Sequence, residues 1–176
     1  SENIDTVLEP SCGDGVFLDS LKETGFLDKV SRVEAVEIEA PEAQKVSGRY
    51  KDTPKVKVIN QDFFEFYKET LGTKTYDLIL GNPPYIRYQY LKESQRECQA
   101  QILTSHGMKS NKLINAWVAF MVASVQMLSK RGKIAFVIPA EILQVAYAED
   151  LRLYLANHLA KITLITFEQL VFPDIE

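Results

Sequence analysis

The chain has few of the residues that build disulfide frameworks or metal centres. Its 176 residues include two cysteines and two histidines. Cys12 and Cys98 match neither a disulfide framework nor a zinc-site spacing, and His106 and His158 are too few for a histidine-based metal site. We therefore expect a protein that needs no metal and works in a reducing, cytoplasmic compartment.

Long apolar runs are missing as well. No stretch approaches the roughly 20 apolar residues that span a bilayer, and no basic-then-apolar leader opens the sequence. We expect no membrane partner. Hydrophobic residues make up 46% of the chain, which is enough for residues 1–176 to form one globular domain.

A basic excess is also absent. The formal net charge is −4, whereas proteins that bind nucleic acid usually display a basic face. Either the partner is not a nucleic acid, or the basic surface lies on sequence outside this chain.

Short apolar runs alternate with helical patterns along most of the chain. This alternation predicts an α/β fold, a doubly wound and mostly parallel Rossmann-like sheet with helices on both faces. The predicted strands are Thr6–Glu9, Arg32–Glu37, Val56–Asn60, 76–80, 133–138 and 161–167. The predicted helices are 16–24, 41–49, Phe63–Thr70, 112–129 and 147–158.

A polar insert, residues 86–111, interrupts this alternation. A long connection beside a candidate site is commonly a lid or a recognition element, and residues 91–103 could be helical. Arg87, Tyr88, Tyr90 and Lys92 could contact nucleic acid, although an exposed surface is an equal alternative.

A glycine loop follows the first predicted strand. Gly13 and Gly15 allow a ligand to approach the backbone closely. Leu18 stands where a dinucleotide fingerprint has its third glycine, and there is no Gly-Lys-Ser/Thr phosphate loop. Acidic Glu9 and Asp14 flank the loop and would repel phosphate, so they favour a cationic ligand.

Two more acidic residues follow the next strands. Glu37 ends the second strand, where an acidic side chain binds ribose hydroxyls in nucleotide-binding sheets. Asp62 and Phe63 follow the third strand and could hold a nucleobase. Each acid alone could be a solvated strand end or a helix N-cap. Together they predict a pocket for a positively charged adenosine without phosphates, which S-adenosylmethionine fits.

The loop after the fourth strand is stiff. Prolines fix φ, lack an N–H and hold the preceding residue extended. The Asn82 carboxamide and the Pro83 carbonyl can therefore point the same way beside the Tyr85 ring. Two acceptors beside a flat ring suit a planar NH2 group, such as an adenine edge or an amide. A plain strand-ending turn is the alternative.

The chain resembles the catalytic core of adenine-N6 DNA methyltransferases, in the gamma motif order of type IIG restriction–modification enzymes. The matching segments keep the family's order along nearly the whole chain: 7–18, 37–38, 62–63, 82–85, 115–120, 132–139 and 167–173. Trp117 and Phe120, within the fifth of these segments, are predicted to be core residues.

The resemblance implies a role for each matching residue. The methionine end of S-adenosylmethionine would lie against Glu9, Pro10, Cys12, Gly13 and Gly15. Glu37 would bind the ribose, Ile38 would pack on the cofactor's adenine, and Asp62 would accept from its amino group beside Phe63. Asn82 would border cofactor and target.

The catalytic residues implied by the resemblance are Asn82, Pro83, Pro84 and Tyr85. Asn82 and the Pro83 carbonyl would accept from N6 of a flipped adenine, with Tyr85 and Phe172 stacked on its two faces. No metal or covalent intermediate is needed.

The family also has an upstream motif, a target-recognition region and often a nuclease outside this core. We therefore expect residues 1–176 to be a fragment, and double-stranded DNA to be the partner of the full-length protein. The oligomeric state is left open.

Other functions remain as alternatives. An amide NH2 fits the same acceptors, so the target could be a protein glutamine, or it could be an adenine of ribosomal RNA. The long insert and the match at 167–173 favour DNA over both. A non-catalytic cofactor-binding scaffold is a further alternative, against which the intact Asn-Pro-Pro-Tyr sequence stands.

Overall fold

The computed structural model describes residues 4–144 and 148–166. Its strands are β1 (Thr6–Glu9), β2 (Arg32–Glu37), β3 (Val56–Asn60), β4 (Tyr76–Gly81) and β5 (Leu128–Phe136). Its helices are α1 (Val16–Glu23), α2 (Ala40–Arg49), α3 (Phe63–Thr70), α4 (Glu93–Thr104), α5 (Ala116–Gln126) and α6 (Glu149–His158). Short 3-10 turns lie at Leu27–Lys29, Tyr88–Tyr90 and Ala140–Leu143.

The strands form one sheet in the order β3-β2-β1-β4-β5. Every described strand pair is parallel, which confirms the predicted fold class. The chain moves outward from β1 to β3 and then crosses to the other side of β1 with β4. The crevice between the carboxyl ends of β1 and β4 is therefore the topological switch point, where ligands bind in sheets of this kind.

Residues of the central strands are buried on both faces of the sheet. Val7 and Leu80 pack with the cluster under α1 and α2, whereas their neighbours Leu8 and Ile79 pack with the cluster under α3, α4, α5 and α6. Successive side chains of a strand point to opposite faces, so helices on both faces are needed to cover a near-continuous apolar run.

The fifth strand begins earlier than the predicted range 133–138. Tyr76 pairs with Leu128, and after a register shift Leu78 pairs with Lys133. The Tyr76 N–H donates to the Met127 carbonyl at 2.9 Å. The start of β5 is polar and partly exposed. It therefore has no apolar run from which a strand could be predicted.

The prediction of a sixth strand is wrong for residues 161–166. These residues have no strand assignment, and the side chains of Ile162, Leu164 and Ile165 are exposed. A strand needs a hydrogen-bonded neighbour, and sequence alternation alone does not supply one. Residue 167 lies outside the described part of the chain.

The insert is integrated into the domain through α4, close to the predicted range 91–103. Cys98, Gln99, Ile102 and Leu103 are buried, and α4 packs against α3 and α5. Trp117 and Phe120 on α5 are buried too, which confirms that they are core residues. Helix α5 begins at Ala116, later than predicted, because the Asn115 side chain caps it by accepting from the Trp117 N–H at 3.5 Å.

Among the helices of the described residues, none has the length and apolar character needed to cross a membrane.

Candidate active site at the carboxyl edge of the sheet

A direct hydrogen bond joins the two loops at the switch point. The Ser11 hydroxyl donates to the Asn82 carbonyl at 3.1 Å, across 71 positions of sequence. The Gly81 carbonyl in turn accepts from the Val137 N–H at 3.0 Å. The glycine loop after β1, the proline loop after β4 and the residues after β5 are thus held together at one edge.

The glycine loop depends on backbone conformations that glycine adopts easily. Gly13 and Gly15 have φ of +52° and +86°, values that other residues rarely adopt. A Cβ on Gly15 would also lie 3.1 Å from the Val46 side chain, whereas one on Gly13 would meet nothing within 4 Å. The open side of the loop at Gly13 is therefore a place where a ligand can approach the backbone.

Cys12 is a buried thiol in this loop, and its N–H donates to the Val36 carbonyl at 2.9 Å. Burial, followed by the negative charges of Glu9 and Glu37, raises the pKa of the thiol to about 12. A neutral thiol is a poor nucleophile, which fits a small packing residue.

Glu9 is the most unusual side chain at this edge. It is 1% exposed, and neither carboxylate oxygen has a hydrogen-bond partner among the described residues. Burial raises its pKa to about 9, with further contributions from the charges of Asp14, Glu37 and Asp19. A buried acid without a partner costs free energy, so a cationic or hydrogen-bonding ligand would relieve the cost.

Glu37 is held by backbone donors. One carboxylate oxygen accepts from the Gly13 N–H at 2.7 Å and the other from the Glu39 N–H at 2.8 Å. The predicted ribose-binding acid thus has a fixed orientation, and each oxygen retains a second lone pair. The next residue, Ile38, is 44% exposed and offers an apolar surface.

Asp62 caps α3 and contacts the insert. Its Oδ1 accepts from the N–H groups of Phe64 at 2.8 Å and Glu65 at 3.3 Å. Its Oδ2 accepts from the Gln95 amide at 2.5 Å. The sequence predicted Asp62 but not Gln95, because Gln95 lies in a polar stretch with no local signal for this contact.

Phe63 belongs to the core. It is 3% exposed, and its ring centroid lies 4.6 Å from that of Phe120. Little of its surface is therefore available to a ligand beside Asp62.

The Asn82–Tyr85 loop carries the predicted acceptors. The Tyr85 hydroxyl lies 2.8 Å from Asn82 Oδ1 and 3.0 Å from the Val137 carbonyl. Pro83 is buried and Pro84 half-buried, while Tyr85 is 42% exposed. Partial burial raises the pKa of Tyr85, so the hydroxyl keeps its proton and orients the Asn82 carboxamide.

Residues 87–90 form a turn beside this loop. The Arg96 guanidinium lies 5.2 Å from the centre of the Tyr88 ring, and its nitrogens donate to the carbonyls of Tyr88 at 3.1 Å and Gln89 at 2.8 Å. Tyr90 is 72% exposed. The turn therefore presents Arg87 and Tyr90 to solvent near the carboxyl edge.

Two further expectations concern a metal and Phe172. Within residues 4–144 and 148–166, no three His, Cys, Asp or Glu side chains are grouped in a way that could hold a metal ion. Phe172, the predicted second stacking ring, lies outside the described residues together with the rest of segment 167–173.

The chain matches one protein family and is similar to several known methyltransferases. Residues 20–172 match the model of the Eco57I restriction-modification methylase family. The chain is 31% identical over 153 residues to the type II methyltransferase M.HincII of Haemophilus influenzae, covering 87% of this chain and 27% of that protein. It is 28% identical over 176 residues to M.AccI of Acinetobacter calcoaceticus, covering 99% of this chain and 31% of that protein.

Among solved structures, the chain is similar to a type I restriction-modification methyltransferase subunit from Streptococcus thermophilus. The TM-score is 0.69 at 17% identity, and the match covers 89% of this chain and 34% of that one. This similarity supports the fold. The chain spans between a quarter and a third of the length of the curated relatives described above.

Proposed function

Because the chain belongs to the Eco57I restriction-modification methylase family, we propose that it is the catalytic core of a DNA methyltransferase that modifies adenine at N6. The observation that carries the proposal is the Ser11–Asn82 hydrogen bond. It brings the buried acid of β1 and the Asn-Pro-Pro-Tyr loop of β4 to one crevice, where a methyl donor and an acceptor amine can meet.

The acidic side of the crevice fits S-adenosylmethionine. Glu9 has two buried oxygens without partners that could accept hydrogen bonds, and Asp14 and Glu37 supply the negative charge beside it. A ligand with an ammonium and a sulfonium would pair with this charge. S-adenosylmethionine, when bound, supplies the methyl group from its sulfonium.

The neighbouring loops fit the rest of the cofactor. The free lone pairs of Glu37 suit ribose hydroxyls, and exposed Ile38 suits one face of the adenine. Asp62 Oδ2 suits the adenine amino group, because Oδ1 is already engaged by α3.

The proline loop fits the target amine. The N6 lone pair of adenine is delocalised into the ring, so the amine is a weak nucleophile. Asn82 Oδ1 and the Pro83 carbonyl would accept its hydrogens and favour a more tetrahedral nitrogen with its lone pair directed at the methyl group. Positioning of this kind can supply roughly 7–11 kcal/mol.

The target base has to leave the duplex to reach these acceptors. Extrusion costs a few kcal/mol, and stacking on an aromatic ring returns about 1–3 kcal/mol per base. Tyr85, which is 42% exposed, would stack on one face of the base, and Phe172 would stack on the other.

The proposal is tested with Asn82→Ala in the full-length protein. We expect methyl transfer to DNA from labelled S-adenosylmethionine to fall by about 10²-fold or more, the size expected when one oriented polar group is lost from an active site. The affinity for S-adenosylhomocysteine, measured by calorimetry, should stay within about twofold, because cofactor contacts come from the other loops. Asn157→Ala, at an exposed position of α6, is the matched control and should change neither quantity.

The same assay separates the alternatives. Label that enters protein or ribosomal RNA but not DNA would overturn the DNA proposal. Failure of the unmodified protein to bind S-adenosylhomocysteine would favour a scaffold without a methyl donor. An equal loss of transfer and cofactor affinity in Asn82→Ala would show that Asn82 has a different role.

A further inference from the structure

The two oxygens of Asp62 have different partners. Oδ1 accepts from two N–H groups of the first turn of α3, at 2.8 and 3.3 Å. Oδ2 accepts from the side-chain amide of Gln95, at 2.5 Å. Because Oδ1 is committed to capping the helix, Oδ2 is the oxygen that a ligand would use.

Gln95 is held in place at both ends of its amide. Its Oε1 accepts from the Lys92 N–H at 2.9 Å, which is a capping contact at the start of α4. The body of α4 is fixed on α3, since the Cys98 thiol lies 3.9 Å from the Phe64 carbonyl and Ile102 and Leu103 are buried. The packing of α4 on α3 therefore fixes the backbone at Gln95 beside Asp62. A rotation of the Gln95 side chain would be enough to free Oδ2.

A carboxamide NH2 and the amino group of adenine are similar donors. Both are planar, conjugated and neutral, and both offer two hydrogens in the plane of the group. We propose that Gln95 and the cofactor's adenine compete for Asp62 Oδ2, which makes Gln95 a determinant of cofactor affinity and of selectivity for the 6-amino group. The proposal rests on the proposed function, which assigns Asp62 to the adenine.

Competition has a defined effect on binding. When only a fraction of the molecules has the acceptor free, the apparent dissociation constant is the intrinsic one divided by that fraction. Removing the Gln95 donor should therefore tighten binding of ligands that use Oδ2. Ligands that do not use this oxygen should bind as before.

The test uses two ligands and three variants in calorimetry. The ligands are S-adenosylhomocysteine and its analogue with hydrogen in place of the purine 6-amino group. Gln95→Ala removes the donor. Gln95→Met also removes it and keeps an unbranched side chain of similar length, so the effect of lost volume is separated from that of the lost donor. Gln101→Ala, at an exposed position of α4, is the control.

We expect Gln95→Ala and Gln95→Met to bind S-adenosylhomocysteine about three- to tenfold more tightly, the range for a competent fraction of roughly 0.1–0.3. The 6-deamino analogue should bind the same in every variant, and Gln101→Ala should match the unmodified protein. Urea unfolding of each variant checks that the fold is intact.

Other results overturn the inference. Unchanged or weaker binding of S-adenosylhomocysteine by both Gln95 variants would mean that Gln95 supports Asp62 or shares it with the ligand. Equal tightening for both ligands would point to a general opening of the crevice. If the unmodified protein bound neither ligand, the proposed function itself would fail. Normal binding with no effect of Gln95 would reject this inference alone.

Discussion

Glu9 combines two properties that a stable fold does not need. Its side chain is fully enclosed, and neither oxygen is hydrogen-bonded within the described chain. An apolar residue of similar size would pack there at lower cost. The proposed cofactor site would account for an acid at this position, and the cost of burying it should be measurable in the protein without ligand.

Stability should depend on pH through Glu9. Its pKa is raised from 4.5 to about 9 in the folded state, so the folded protein holds this proton more tightly than the unfolded chain does. The associated stability is fully present below pH 4.5 and is lost as the pH rises towards 9, at up to about 1.4 kcal/mol per pH unit. Glu9→Gln carries no charge and should remove this loss.

Urea unfolding at pH 6 and pH 8, without cofactor, measures the effect. The unmodified protein should lose more free energy of unfolding between the two pH values than Glu9→Gln does, while exposed Glu23→Gln should behave like the unmodified protein. Identical losses in the unmodified protein and Glu9→Gln would contradict the raised pKa.

At the scale of elements, β4 is anchored at both ends by different chemistry. Its carboxyl end leads into the Asn82–Tyr85 loop. At its amino end, Asp77 Oδ2 accepts at 3.1 Å from the N–H groups of Asp5 and Thr6 and from the Thr6 hydroxyl. Its Oδ1 accepts from the Ser129 hydroxyl at 2.7 Å. One carboxylate thus connects β1, β4 and β5.

Asp77→Ala should destabilise the fold by about 2–4 kcal/mol, because several charge-assisted hydrogen bonds are lost at once. Ser129→Ala removes one of them and should cost about 1 kcal/mol. Urea unfolding at pH 7 measures both, with Asp52→Ala in an exposed turn as the control. A cost for Asp77→Ala no larger than that of Asp52→Ala would show that the connection is unimportant.

The same carboxylate has a pH signature of the opposite sign to that of Glu9. Hydrogen bonds from Ser129, Asp5 and Thr6 lower the pKa of Asp77 from its usual value of 3.8. Its stabilisation is therefore present above pH 3.8 and is lost as the pH falls through the lowered pKa.

At the scale of the whole molecule, the first four strands could be predicted from the sequence, whereas the later part of the chain was predicted less well. Strands β1 to β4 and helix α3 were found because buried parallel strands are apolar runs with polar ends. The start of β5 and the state of 161–166 depend on pairing partners, which local patterns do not encode.

The candidate site shows the same difference between features that are local in sequence and contacts between separate elements. Glycines, strand-end acids and the double proline were visible because their chemistry is local. The contacts of Glu37 with Gly13 and of Gln95 with Asp62 join side chains to groups 24 and 33 positions away. Such contacts follow from the packing of elements, so the sequence showed neither how Glu37 and Asp62 are held nor that Gln95 takes part.

Net charge leads to a prediction about DNA. With a charge of −4, these 176 residues should gain little from phosphate contacts, which dominate nucleic-acid affinity. Selection from a random pool of DNA duplexes by these 176 residues should therefore enrich no sequence. Enrichment of a defined sequence would place target recognition within them.

The order of the strands along the chain also predicts an order of folding. Strands β1, β2 and β3 are neighbours in sequence and in the sheet, so they can pair before β4 leaves the ribosome. Pairing of β4 with β1 closes a much longer loop, which slows folding. We therefore expect the acidic residues proposed to hold the methyl donor to come together before Asn82 joins them, and the Ser11–Asn82 hydrogen bond to be among the last contacts of the proposed site to form.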